Sequence, residues 1–240
     1  MSSKAIVCVQ WGNKYSKDFV KALKQQVEKH CSYDFNFYCF TDNVTEDYDK
    51  RFHFNWDNRE NGNFWAYRKT YMFTDVLPET EILYLDLDVL IHSSIDKFFE
   101  LDMTRPWIVK GWWNDPETCR KNYSKMQSPM INSSVIRWNK GQLQPIFDHI
   151  KNHLDVIFFT YPTIDNYFAH FWHDLDNEDK CFFSVFSYED ITSHYKGRTF
   201  VEDGKYLDFG TAIIELFNND KLSSKDDLEK LWPHFDILQN

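Results

Sequence analysis

The strongest constraint on the fold is the run Ile82-Leu83-Tyr84-Leu85, which passes straight into Asp86-Leu87-Asp88. Four apolar residues behind the breakers Pro78 and Glu79 predict a buried central strand. Side chains alternate along a strand, so Asp86 and Asp88 are expected on one side while Leu85, Leu87 and Val89 face the other. The two carboxylates would then stand about 5 to 7 Å apart. At that spacing repulsion and desolvation disfavour ionising both unless a cation neutralises them. Hard oxygen ligands suit magnesium, manganese or calcium rather than zinc. The plain alternative is a pair that merely ends the strand and faces water. At the carboxyl end of a parallel strand, however, the pair would occupy the place where open α/β sheets bind ligands.

The segments around this strand predict an α/β fold. Ala5-Ile6-Val7-Cys8-Val9 reads as a buried strand. Gly12-Asn13 breaks the chain before a helix capped near Ser16, with Phe19, Leu23 and Val27 on its inner face. Phe35 to Phe40 is a second strand, closed by Thr41-Asp42-Asn43. The polar stretch Asp47 to Asn63 lacks a period and reads mostly as surface loop. Phe64, Tyr67 and Tyr71 recur at helical spacing, Ser94 to Phe99 reads as a short helix, and Pro106 to Val109 as a strand. Trp112 to Met126 is a long polar and aromatic loop that could fold over a ligand. Leu143, Ile146, Phe147, Ile150 and Leu154 mark an amphipathic helix. Thr163 caps a helix running through Trp172, and Ser224 caps a last one carrying Leu228, Leu231 and Trp232. A strand, helix, strand opening favours a Rossmann-like, mostly parallel sheet flanked by helices. Neither repeat nor linker interrupts residues 1–240, so a single domain is expected.

Composition narrows the function classes. A formal net charge of -10 argues against nucleic acid or anionic lipid as partner, because those surfaces are met by dense Lys and Arg patches. No run approaches the ~18 apolar residues of a membrane span, and the opening segment is too short for a signal peptide. A soluble, cytoplasmic protein is therefore expected. The five cysteines are scattered without metal or redox spacing, which predicts free thiols. The load of nine Trp, thirteen Tyr and twenty-two Phe leaves two uses open, a groove for flat ligands and an aromatic-rich core.

Several motifs together resemble the glycogenin-like glycosyltransferases and the small bacterial and viral transferases that share their DxD layout. They are Gly12-Asn13-Lys14-Tyr15, Arg68-Lys69, Tyr84-Leu85-Asp86-Leu87-Asp88, Asn132-Ser133-Ser134-Val135, Asp165-Asn166, Glu215 and Lys221. The resemblance implies a GT-A fold, a nucleotide-diphosphate sugar donor such as a UDP-sugar, a glycan or other hydroxyl acceptor, and transfer with retention. It further implies a manganese or magnesium ion bridging Asp86 and Asp88 to the diphosphate. Tyr15 would stack on the uracil. Lys69 and Arg68 would reach the diphosphate or donor sugar, and Lys221 would clamp the diphosphate. Asn132 and Ser133 would hold donor sugar or acceptor. Asp165 would lie close to the reacting carbon, where it could orient the sugar, stabilise positive charge on the ring or serve as base.

The chain also departs from that pattern. Glu215 stands where spacing back from Lys221 would place the family's third metal ligand, a His, and the usual Gly and Pro beside the lysine are replaced by Asn218 and Leu222. The third ligand is therefore expected at Glu215, with Asn218 as the alternative. Two other classes compete. A haloacid-dehalogenase-like phosphatase would use Asp86 as nucleophile, although Leu90 is foreign to that motif. A non-catalytic carbohydrate-binding module would use the acidic pair for structural calcium.

Overall fold

β1 (Lys4–Gln10) forms from an unbroken apolar run whose Ala5, Ile6, Val7 and Cys8 are all fully buried. The computed structural model describes residues 3–51, 62–111, 130–173, 181–193 and 212–216. α1 (Lys17–His30) starts where expected, because the Ser16 hydroxyl accepts the Asp18 amide at 3.3 Å and satisfies an otherwise orphaned donor. Phe19, Leu23 and Val27 lie on its buried face. β2 (Phe35–Thr41) follows. The stretch anticipated as loop contains a short edge strand, β3 (Asp49–Arg51), and the helix anticipated at Phe64 to Tyr71 is a 3-10 helix, Gly62–Phe73.

β4 (Glu81–Leu85) and β5 (Val89–Ile91) flank the acidic pair, and a 3-10 turn spans Asp96–Phe99. β6 (Trp107–Lys110) and β7 (Ile131–Asn139) then form an antiparallel pair. The helix anticipated from Leu143 to Leu154 is two helices, α2 (Gln144–Asn152) and α3 (Leu154–Thr160), broken at His153. Thr163 caps α4 (Ile164–Tyr167), which continues as a wider π turn over Phe168–Trp172. The short strands β8 (Ser184–Val185), β9 (Ile191–Ser193) and β10 (Ile214–Leu216) complete the described elements. The helix expected after Ser224 and the loop from Trp112 to Met126 lie outside the described residues.

The large sheet has the order β3-β2-β1-β4-β7-β6-β8. β3, β2, β1 and β4 are mutually parallel, and β7 runs antiparallel between β4 and β6. A small sheet has the order β5-β10-β9. One core lies between α1, the small sheet and one face of the large sheet, with Ile6, Phe19, Leu83, Leu85 and Val89 at its centre. The other face packs Val7, Ile82, Tyr84 and Trp138 against the 3-10 helix and α2 to α4. Much of the aromatic load serves these cores: Trp138, Tyr67, Tyr84, Phe73 and Phe168 are fully enclosed. Cys8 and Cys39 come into register on neighbouring strands as free thiols, and burial pushes the Cys8 thiol up. Among the described residues, no helix is long and apolar enough to cross a membrane.

Candidate active site

β4 ends at Leu85, and the Asp86 amide donates to the Ser134 carbonyl of β7 at 2.8 Å. The chain then turns through Leu87 and Asp88 and enters β5. Asp86 and Asp88 therefore sit in a turn that crosses from the large sheet to the small one, rather than along a continuing strand. The expected alternation of burial survives this turn: Leu85, Leu87 and Val89 are buried, and both aspartates are half-buried.

Lys69 reaches this turn from the 3-10 helix. Its ammonium lies 3.2 Å from Asp86 Oδ1 and 3.0 Å from both the carbonyl and the hydroxyl oxygen of Ser133. Only 6% of Lys69 is exposed, so these three acceptors replace the water that a buried ammonium loses. The Tyr84 hydroxyl donates to the same Asp86 oxygen, and the Lys69 ammonium sits 4.8 Å above the Tyr84 ring.

Asp165 arrives from α4. The Thr163 side chain accepts the Asn166 amide at 3.2 Å, which fixes the start of the helix and places Asp165 in its first turn. Its two oxygens accept from Asn132 Nδ2 at 3.0 Å and from the Ser133 amide at 2.9 Å. Burial raises the Asp165 carboxyl, opposed chiefly by the nearby Lys69 charge and the Ser133 donors. Lys69, Asp86, Asn132, Ser133 and Asp165 thus form one hydrogen-bonded group drawn from the 3-10 helix, the turn after β4, β7 and α4.

The loop after β1 closes the other side. Gln10 donates to the carbonyls of Gly12 at 3.1 Å and Tyr15 at 3.0 Å, and accepts from the Thr41 hydroxyl at 2.7 Å. Gly12 has φ +64°, a conformation that costs glycine little, and its amide donates to Asp42 at 3.1 Å. The Tyr15 hydroxyl donates to Asp88 Oδ2 at 3.1 Å while its ring packs 5.0 Å from Phe19. Burial, then the charge of Asp86, pushes the Asp88 carboxyl up to about 7 against the pull of Lys14 and Tyr15. Arg68 stacks its guanidinium 4.0 Å over Trp11, and burial lowers its pKa.

Glu215 is engaged elsewhere. It is buried on β10, paired with Leu90, and one carboxylate oxygen lies 3.0 Å from His92 Nε2. Among the described residues, no group of three or more His, Cys, Asp or Glu side chains is arranged to hold a metal ion. Asn218 and Lys221 lie outside the described residues. Tyr84, Trp11 and Asp42 are site neighbours that sequence reasoning missed. Tyr84 was within reach, because it lies two residues before Asp86; Trp11 and Asp42 carry no pattern that distinguishes them from loop residues.

Neither a protein-family model nor a curated protein matches the sequence. Solved structures do match. The galactosyltransferase LgtC, in complex with donor and acceptor sugar analogs, aligns with TM-score 0.57 at 13% identity, over 90% of this chain and 87% of its own. A glycosyltransferase involved in glycosylation of the major capsid of PBCV-1 aligns with TM-score 0.58 at 13% identity, over 97% and 99%. Mouse xyloside xylosyltransferase 1 aligns with TM-score 0.52 at 13% identity, over 90% and 97%. The chain therefore has the GT-A fold of these glycosyltransferases, as its sequence led us to expect.

Proposed function

We propose that this chain is a metal-dependent glycosyltransferase that moves a sugar from a nucleotide-diphosphate sugar, a UDP-sugar by preference, to a glycan or other hydroxyl acceptor with retention. The observation that carries this reading is the convergence of Asp86, Asp88, Lys69, Ser133 and Asp165 where β4 leaves a GT-A sheet. The donor set fits a hard divalent cation. Burial, and after it the acidic neighbour Asp86, raises Asp88, so a cation between the two carboxylates would relieve a repulsion already present. Manganese or magnesium takes one or two carboxylates and completes its shell with substrate phosphates and water, which suits Asp86 and Asp88, with Glu215 kept as the proposed third ligand. When bound, the ion would supply Lewis acidity to the departing diphosphate.

The chain's own groups would do the positioning. Lys69 partly neutralises Asp86 and keeps a cation beside the diphosphate's expected place. Asn132 and Ser133 grip both oxygens of Asp165, fixing this carboxylate in one orientation toward the donor sugar. Tyr15 would stack on the nucleotide base, Arg68 would reach the diphosphate or donor sugar, and Lys221 is retained as a diphosphate contact on the resemblance alone. The test is a panel of nucleotide sugars with manganese, monitored for nucleoside diphosphate release. One or more UDP-sugars should be turned over, and Asp86→Asn and Asp88→Asn should each lower the rate at least a hundredfold, roughly the loss of several kcal/mol of electrostatic stabilisation. Unchanged rates in both variants would refute the reading.

A further inference from the structure

Tyr84 is enclosed in the middle of the large sheet, 2% exposed, in register with Val7 on β1 and Ile136 on β7. It is too deep to touch a substrate, yet it meets both partners of the site's ion pair. Its hydroxyl donates to Asp86 Oδ1, the oxygen that also accepts from Lys69 at 3.2 Å. Its ring face lies 4.8 Å from the Lys69 ammonium, an arrangement that offsets part of the cost of burying that charge. Among the described residues neither donor reaches Asp86 Oδ2.

Resting on the reading proposed above, we propose that Tyr84 is a positioning residue. Its phenol and the ammonium it seats together pin Asp86 Oδ1, so that the carboxylate presents Oδ2 to a divalent cation in one fixed orientation. A free carboxylate would have to lose that rotational freedom on binding the ion. A group that orients a ligand carboxylate through hydrogen bonds commonly changes metal affinity by about 10- to 100-fold when removed. Tyr84→Phe removes the phenol oxygen and keeps the ring under Lys69, which separates orientation from packing.

Binding of Mn2+ is measured by electron paramagnetic resonance of the free ion, without substrate turnover. The Kd of Tyr84→Phe should rise about tenfold or more. A Tyr84→Phe Kd within twofold of the parent would overturn the assignment while leaving the metal site standing. A parent chain that binds no Mn2+, with or without UDP, would overturn the metal reading and the assignment with it. Incorporation of 3-fluorotyrosine at position 84 keeps hydroxyl and ring, and protects the test against a variant that fails to fold. Its fluorine line should broaden on adding stoichiometric Mn2+, and a line left sharp would count against the assignment.

Discussion

Asp88 feels two opposing influences, and their balance sets how this site should respond to pH. Burial and the neighbouring Asp86 hold its carboxyl up to about 7, while the Lys14 charge and the Tyr15 hydroxyl pull the other way. Its folded pKa lies above the unfolded value, so the native chain holds an extra proton between about pH 4 and pH 7. That contribution to stability is present at the acid end of the window and is lost as pH rises through 7. Metal binding at the proposed site would follow the opposite course, because only the carboxylate can ligate and the ion would have to displace the proton. Apparent Mn2+ affinity should therefore be about tenfold weaker at pH 6 than at pH 8, with proton release on binding at pH 6.5. Calorimetry in buffers of different ionisation enthalpy would detect that proton, and affinity independent of pH across this range would contradict the assignment of Asp88.

At the scale of elements, α4 shows how a short helix can matter through its first turn alone. Thr163 Oγ1 accepts the Asn166 amide and donates to the Asn166 side-chain oxygen at 2.6 Å, while the Tyr67 hydroxyl donates to the Thr163 carbonyl at 3.1 Å. This holds the start of α4, and hence Asp165, against β7. Thr163→Ala should cost about 1 kcal/mol of stability in chemical denaturation, and Thr163→Ser should restore most of it; equal midpoints for the two variants would show that the cap contributes nothing. This cap was legible in the sequence, as were β1, α1, β2 and β4, because each pairs a clear period or apolar run with a recognisable end signal. β7 was not legible as a strand. Its early residues Asn132 and Ser133 are polar and meet Asp165 and Lys69, and local polarity concealed an element that tertiary pairing with β4 and β6 creates. The three-residue strands β5, β9 and β10 are too short to carry a period at all. The break at His153 interrupts an apolar stripe that continues on both sides of it, so the pattern alone reads as one helix.

At the scale of the whole molecule, the acidic turn is the covalent junction between two sheets. Leu85 ends a strand of the large sheet and Val89 begins a strand of the small one. The small sheet is tied back by the buried Gln26 of α1, whose side-chain amide donates to the Val89 carbonyl at 3.4 Å and accepts from the Ile91 amide at 2.7 Å. A ligand seated at Asp86 and Asp88 would brace this junction from both sides and touch β7 and α4 as well. Its binding energy should therefore appear as resistance to global unfolding rather than as a local stiffening. Ligand that binds only the native state at a hundred times its Kd adds about 2.7 kcal/mol. For a chain of 240 residues this corresponds to a rise in Tm of roughly 5 to 10 °C. Mn2+ and UDP together should produce such a rise in differential scanning calorimetry, EDTA should cancel it, and Asp88→Asn should abolish it without lowering the Tm of the ligand-free protein. A shift with UDP that survives EDTA and the Asp88 substitution would mean that the nucleotide grips the fold without the acidic turn, and would separate nucleotide binding from the metal site assigned to it.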